Sequence, residues 1–322
     1  MDETYDVIVV GGGAAGLSGA LTLARARRSV LVVDDGTPRN APSDGVHNYL
    51  GREGTPPAEL MATGRAEVTG YGGTVVEGRV ADARAVDDGF AVQLVGGRSV
   101  TARRLLLATG LADELPDVEG LARRWGRDVL HCPYCHGHEV RDRAIGVLAT
   151  GPLAVHQAQL FRQWSADVTL FLHTAPDPSA QEWTELGARG ISVVDGEVVA
   201  VEVADDRLAG VRLASGQVVP IDALVVAPRF SARTAVPAAL GLATEDLRLG
   251  DHVLGSAVPA GPGGATAVPG VWVAGNVGDL RAGVINAAAQ GFTAATEINA
   301  DLVAEDVRRA TAAALAPEAV DA

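Results

Sequence analysis

A β-branched run, Val7-Ile8-Val9-Val10, passes directly into Gly11-Gly12-Gly13-Ala14-Ala15-Gly16, and an Ala- and Leu-rich stretch from Leu17 to Arg27 follows. The run reads as a strand buried on both faces, the stretch as a helix. Between them, Gly11-x-Gly13-x-x-Gly16 meets the needs of a pyrophosphate-binding turn. Gly11 allows the tight turn, Gly13 lets the backbone approach a phosphate, and Gly16 lets helix and strand pack closely. The helix N-terminus adds N–H donors and the positive end of its dipole. A second strand, Ser29 to Val33, ends in Asp34-Asp35. Asp34 lies 18 residues beyond Gly16, where a carboxylate accepts hydrogen bonds from a ribose; Asp35 is its rival. This βαβ unit predicts a dinucleotide site. A plain Gly-rich turn is the competing reading.

A second βαβ unit is expected from Ala144 to Leu172, with strand Ile145 to Leu148, an amphipathic helix over Leu153 to Trp164 and strand Asp167 to Leu172. Two such units make a doubly wound α/β chain with two Rossmann-like domains. At 322 residues the chain has room for about two domains. Between the units, a Pro- and Gly-rich loop runs from Gly36 to Pro57, then a helix from Glu59 to Tyr71. Alternating stretches from Thr74 to Val100 predict antiparallel strands, and Leu105 to Gly110 another buried strand. Gly255 to Pro269 reads as a loop, Ala287 to Ala304 as a closing helix, and the tail after Arg309 as frayed.

Apolar residues make up 48% of the chain, which excludes wholesale disorder. No apolar run reaches the roughly 18–20 residues of a membrane-spanning helix, and the acidic Met1-Asp2-Glu3 start does not resemble a signal peptide. The net charge of −14 disfavours nucleic acid and anionic membranes as partners. All 26 basic residues are Arg, so a Schiff-base or P-loop lysine is excluded. Cys132 and Cys135 are the only cysteines, which points to a reducing cytoplasm rather than a secreted disulfide scaffold.

Those two cysteines sit in the densest chemistry of the chain, His131-Cys132-Pro133-Tyr134-Cys135-His136-Gly137-His138-Glu139. Pro133 suits the first turn of a helix with Cys132 near its N-cap. The helix dipole and nearby imidazoles favour thiolate, the species that attacks a disulfide. The C-x-x-C spacing lets the sulfurs close on each other and store two electrons. His136 and His138 are candidate proton carriers, because imidazole titrates near neutral pH. A metal site and an inert cysteine pair are the alternatives; the ligands lie too close along the chain for an ordinary tetrahedral cage.

The C-x-x-C, together with Leu106-Leu107-Ala108-Thr109-Gly110 and Gly270-Val271-Trp272-Val273-Ala274-Gly275-Asn276-Val277-Gly278-Asp279, resembles the low-molecular-weight thioredoxin reductase family from Tyr5 to about Val303. The resemblance implies that the N-terminal loop holds FAD and that the FAD domain is discontinuous: 1–112 with 248–322, and 113–247 inserted as the NAD(P)H-type domain carrying the cysteines. It implies a three-layer ββα fold and a homodimer. It places Asn48, in Val46-His47-Asn48-Tyr49-Leu50-Gly51, beside the flavin and Val80 beside the adenine. Ala14, Ala15, Arg39, Asn40, Thr109, Gly110 and Gly275 complete the expected FAD-binding set. Asn276 stands where the family has an Asp that bonds the ribityl chain, and Asp279 is a substitute. The resemblance also turns Cys135 to the flavin and Cys132 to the substrate, and puts His136 where the family has its acid.

The family's second glycine loop is altered here. It reads Leu148-Ala149-Thr150-Gly151-Pro152, and no Arg cluster for a 2′-phosphate follows Leu172. NADPH is therefore a doubtful cofactor. CPYCHGHE with a weak nicotinamide site resembles the FAD-dependent dithiol oxidases of gliotoxin and holomycin type. The implied activity is oxidation of a small-molecule dithiol to an intramolecular disulfide with O2 as acceptor. The alternatives are reduction of a thioredoxin-like protein with NADPH or another donor, and a non-enzymatic flavin-binding redox sensor.

Overall fold

The computed structural model describes Glu3–Leu315. Its first sheet is built on β1 (Glu3–Val10), followed by α1 (Ala14–Arg25), β2 (Val30–Asp34), α2 (Pro57–Gly70), β3 (Thr74–Glu77), β4 (Val80–Val86), β5 (Gly89–Leu94) and β6 (Ser99–Leu107). The order is β3-β2-β1-β6, all parallel, and strand Val271–Val273 adds in parallel to the last turns of β6. Val7, Ile8 and Val9 are fully buried, as a two-sided parallel strand requires. On one face, α1 packs against the C-terminal helix Val284–Leu315. The first half of β6 instead pairs with β5, which carries β4 across the other face.

Three expectations change here. Thr74–Glu77 is not antiparallel: α2 is a crossover that returns the chain parallel to β2. The expected loop over Gly255 to Pro269 begins as strand His252–Ala257. The tail expected to fray after Arg309 is helical as far as Leu315, and 316–322 lie outside the described residues. Arg104 pairs with Asp301 and Glu305, Arg28 and Arg103 with Asp306, and Arg309 with Glu305. The Ala-rich end then continues as helix to Leu315, as its high helix propensity allows.

The second sheet is five parallel strands in the order Ser192–Val194, Val168–Phe171, Ile145–Leu148, Ala223–Val226, Val129–Leu130. An antiparallel sheet of Val198–Ala204, Arg207–Leu213 and Val218–Val219 covers it through Val198, Val211 and Leu213. A mixed sheet joins the two halves. It takes Leu111–Glu114, Arg229–Ala232, His252–Ala257 and Glu245–Leu249. The chain thus folds as α/β with two Rossmann-like sheets. Among the described residues no helix is long and apolar enough to cross a membrane.

Candidate active site

A cavity of about 840 Å³ opens where parallel strands of both halves end. Gly11–Ala15 follow β1, Asp34 ends β2, Ala108–Gly110 follow β6, and Ala274–Asn276 follow Val271–Val273; all line it. From the second half, His131 and Cys132 follow Val129–Leu130 and line the same space. Ligands of open α/β sheets sit at such carboxyl ends.

The glycine loop fits a dinucleotide. Gly11 has φ +106°, and a Cβ there would overlap the Ala108 carbonyl. A Cβ on Gly16 would overlap the Gly11 carbonyl; Gly16 packs the turn and does not line the cavity. Gly13 faces open space, with no atom within 4 Å of the Cβ position, so a ligand can close on its backbone. The Gly12 N–H donates to Asp34 Oδ1 at 3.0 Å, and Arg65 Nη1 reaches Asp34 Oδ2 at 3.2 Å. Asp35 also lines the cavity. Burial raises its carboxyl, but two hydrogen bonds from Thr37, with Arg233 and Arg79, outweigh that and hold it below the usual range.

Arg39, Asn40, Val80, Thr109, Gly110, Gly275 and Asn276 all line the cavity. Arg39 forks onto Asp113, with Nε to Oδ2 at 2.8 Å and Nη2 to Oδ1 at 2.6 Å, and lies 5.2 Å from the Phe230 ring centre. Thr109 donates to the Arg233 carbonyl. Asn276 donates through Nδ2 to the carbonyls of Asp279 and Ala282, both at 2.9 Å. A carboxylate there would face two carbonyl oxygens, so the amide suits this loop and leaves Oδ1 as an acceptor.

Besides Gly16, three expected site residues lie off the cavity wall. Asp279 accepts from Gln290 Nε2 and the Arg281 N–H and buttresses the loop. Asn48, at φ +60°, donates to the Tyr134 carbonyl at 2.5 Å and so touches the cysteine turn instead. His138 is exposed, and its carbonyl takes a bond from Arg141. Proximity in sequence to Cys135 does not bring its ring to the cavity.

Cys132 caps the short helix Pro133–His136 and is joined to Cys135 in a disulfide; both line the cavity with His131 and His136. The loop before α2 grips this turn. His47 lies 2.6 Å from Glu53 and 3.5 Å from Glu139, and Asn48 holds Tyr134. Burial lowers the His136 imidazole below its ordinary value; Glu139 pulls it up and His47 pushes it down. Burial also lowers His131, opposed by its bond to the Val226 carbonyl. Both rings are therefore neutral near pH 7. Between their folded values and the ordinary imidazole value of 6.5, the unfolded chain binds more protons. Each ring thus contributes stability that is present above 6.5 and lost as pH falls below it. In an NMR titration, both imidazole signals are expected to have midpoints below 6.5. A midpoint at or above that value for either ring overturns its neutral burial.

Arg233, Phe230, Asp113 and Trp125 also face the cavity and carried no motif. Their only sequence signal is position beside strands whose pairing brings distant segments together.

The chain matches the pyridine nucleotide-disulphide oxidoreductase family over residues 5–291. It is 32% identical to thioredoxin reductase tcpT of Claviceps purpurea over 315 residues, covering 93% of this chain and 95% of that protein. Among solved structures, that of HlmI superposes with a TM-score of 0.87 at 47% identity, covering 96% of each chain. An oxidoreductase from Agrobacterium tumefaciens superposes with a TM-score of 0.86 at 36% identity, over 94% of this chain and 99% of that one. FAD is the cofactor of this thioredoxin reductase-like group, and the glycine loop, Asp34 and the cavity they line fit it. The chain belongs to the pyridine nucleotide-disulphide oxidoreductase family, as an FAD-dependent, thioredoxin reductase-like enzyme.

Proposed function

We propose that this disulfide oxidoreductase is a dithiol oxidase, closing a disulfide within a small-molecule dithiol. The observation that carries the reading is that the Cys132–Cys135 disulfide and the glycine loop wall one cavity. A substrate thiolate attacks Cys132 Sγ; the Cys132–Cys135 bond breaks and Cys135 leaves as thiolate. The second substrate thiol attacks the mixed disulfide, releasing an intramolecular disulfide and a reduced cysteine pair. Two electrons and one proton, that of the second thiol, have then moved to the protein: Cys132 is released as thiolate and Cys135 carries the proton. Bound FAD would supply the acceptor for this electron pair and its route to O2, which would leave as hydrogen peroxide. Cys135 faces the cofactor and Cys132 the substrate. His136 takes and returns the proton of the Cys135 side. Gly11, Gly13, Ala14 and Ala15 cradle the pyrophosphate, Asp34 the ribose, Val80 the adenine, and Asn276 the ribityl chain.

The second glycine loop supports an oxidase over an NADPH-fed reductase. A Cβ on Gly151 would lie 2.6 Å from His252 Nε2, so an imidazole already covers the loop. Pro152 offers no N–H, and half-buried His173 accepts the Val198 N–H where an Arg cluster would be needed. A thioredoxin reductase fed by NADPH remains the second reading, favoured by the name of the Claviceps relative. Anaerobic stopped-flow mixing separates the two. Dithiothreitol is expected to bleach the flavin rapidly and NADPH slowly; rapid bleaching by NADPH alone overturns the oxidase reading.

The proposed division is 1–112 with 248–322 as the FAD domain and 113–247 as the inserted one, acting in a homodimer in the cytoplasm. Strands Leu111–Glu114 and Glu245–Leu249 straddle those boundaries within the mixed sheet. Ile285, Phe292, Val303 and Val307 are exposed along one face of the last helix, where a second copy would cover them. Purified protein is expected to be yellow, to run at the mass of two chains and to release FAD on heating. Released FMN overturns the dinucleotide assignment, and a monomer overturns the dimer.

A further inference from the structure

We infer that His131 is the proton acceptor for the incoming substrate thiol, at the Cys132 end of the disulfide. The inference rests on the dithiol-oxidase reading and adds a residue to it.

His131 is held on three sides. Its Nδ1 lies 3.1 Å from the Val226 carbonyl oxygen, on the strand paired with the one that delivers His131. A carbonyl can only accept, so Nδ1 carries the proton. In a neutral ring Nε2 is then a bare acceptor, and the tautomer is fixed by the fold. The His131 carbonyl accepts from Gln157 Nε2 at 3.0 Å. Gln157 is almost wholly buried and its Oε1 has no partner among the described residues, so its hydrogen-bonding use is this grip on the residue before Cys132. The ring also meets Phe230 edge-on, with centres 5.1 Å apart. A side chain needed only for packing does not require its backbone, ring nitrogen and ring edge all fixed.

The held ring borders the cavity together with Cys132, Phe230 and Arg39. The charged and titratable groups around it are Arg39 and His136, which disfavour its protonation, and Asp113, which favours it. Asp113 is already forked by Arg39 and is not free to pair with the imidazole. The ring is therefore neutral and competent as a base where a thiol arrives unionised. The step balances: a substrate S–H bond breaks, the proton passes to Nε2, the new sulfur–Cys132 bond forms, and the Cys132–Cys135 bond breaks with its electron pair on Cys135. His131 returns the proton to solvent when the product leaves. His136 keeps the Cys135 side, so each sulfur has its own imidazole.

His131→Asn keeps a donor for the Val226 carbonyl and replaces the basic Nε2 with an amide that cannot take a proton. Anaerobic stopped-flow reduction of the holoenzyme flavin by dithiothreitol is followed from pH 6 to pH 9. At pH 6–7 the dithiol-concentration-dependent rate is expected to fall by about 10²-fold, the span for losing a positioned base. The defect shrinks toward pH 9, because a thiol that is already ionised needs no base. The first-order limit at saturating dithiol stays near wild type. A rate within threefold of wild type at pH 6–7, or a defect of constant size across the range, overturns the proposal. If wild-type flavin is not reduced by dithiol at all, the dithiol-oxidase reading is what fails. Should His131→Asn lose FAD, His131→Gln is read on the same criteria.

Discussion

Cys132→Ser is expected to leave FAD bound and to cut steady-state dithiol oxidation by about 10³-fold or more, the scale for removing the nucleophile of a covalent mechanism. The chain has only two cysteines, so no third thiol can replace either one. Both sit on the cavity wall, and neither lies in the glycine loop that fits the pyrophosphate. Cofactor content and chemistry should therefore separate cleanly. Cys135→Ser is expected to lose turnover to the same degree for a different reason. Cys132 is then a free thiol with no partner to displace, and it should accumulate a mixed disulfide with an added aromatic disulfide reagent, visible as a mass adduct. Steady-state rates close to wild type in either variant would sink the two-cysteine relay.

The parts legible in the sequence were those whose chemistry is carried by neighbours along the chain. The glycine turn needs a strand, three small residues and a helix in direct succession, and that pattern survives into the structure with the required close approaches at Gly11 and Gly16. The cysteine turn is local in the same way: Pro133 starts the short helix and Cys132 caps it. What stayed hidden was set by pairing between distant segments. Arg39 and Asp113 are 74 residues apart, yet they fork together over the ring of Phe230. Thr74–Glu77 alternates like an antiparallel strand, but α2 carries it to the parallel edge of β2. The orientation of short-range residues was equally out of reach. His136 and His138 are two positions apart, and only the first borders the cavity. One turn of helix followed by a bend decides this, and no periodic pattern is long enough there to declare it. Asn48 was legible as a loop residue near the site. Its partner, the Tyr134 carbonyl, is a backbone group with no signature of its own.

His136→Ala is expected to slow flavin reduction by dithiol by roughly 10²–10⁴-fold, the usual span for a positioned acid–base group. The imidazole borders the cavity beside Cys135, and burial holds its titration below the ordinary value. At neutral pH it is therefore an acceptor, ready to take the Cys135 proton as that sulfur passes its electron pair onward. The loss should fall on the first-order limit at saturating dithiol, since this step follows release of the substrate disulfide. The second-order dependence on dithiol at low concentration should be nearly unchanged, which sets this variant apart from His131→Asn. The sign of the pH effect follows from the titration. As pH drops through the lowered folded value, the wild-type ring becomes charged and stops accepting, so the wild-type limit should fall with acidification through that value, on the acid side of an ordinary imidazole. The variant has no ring to titrate, and its much lower limit should stay flat over the same range. FAD content should be unaltered, because His136 follows the cysteine turn rather than the glycine loop. A variant limit within threefold of wild type, with the same pH profile, would remove His136 from proton transfer. Exposed His138, 43% accessible Glu139 reaching in through His47, or water would then have to serve the Cys135 side.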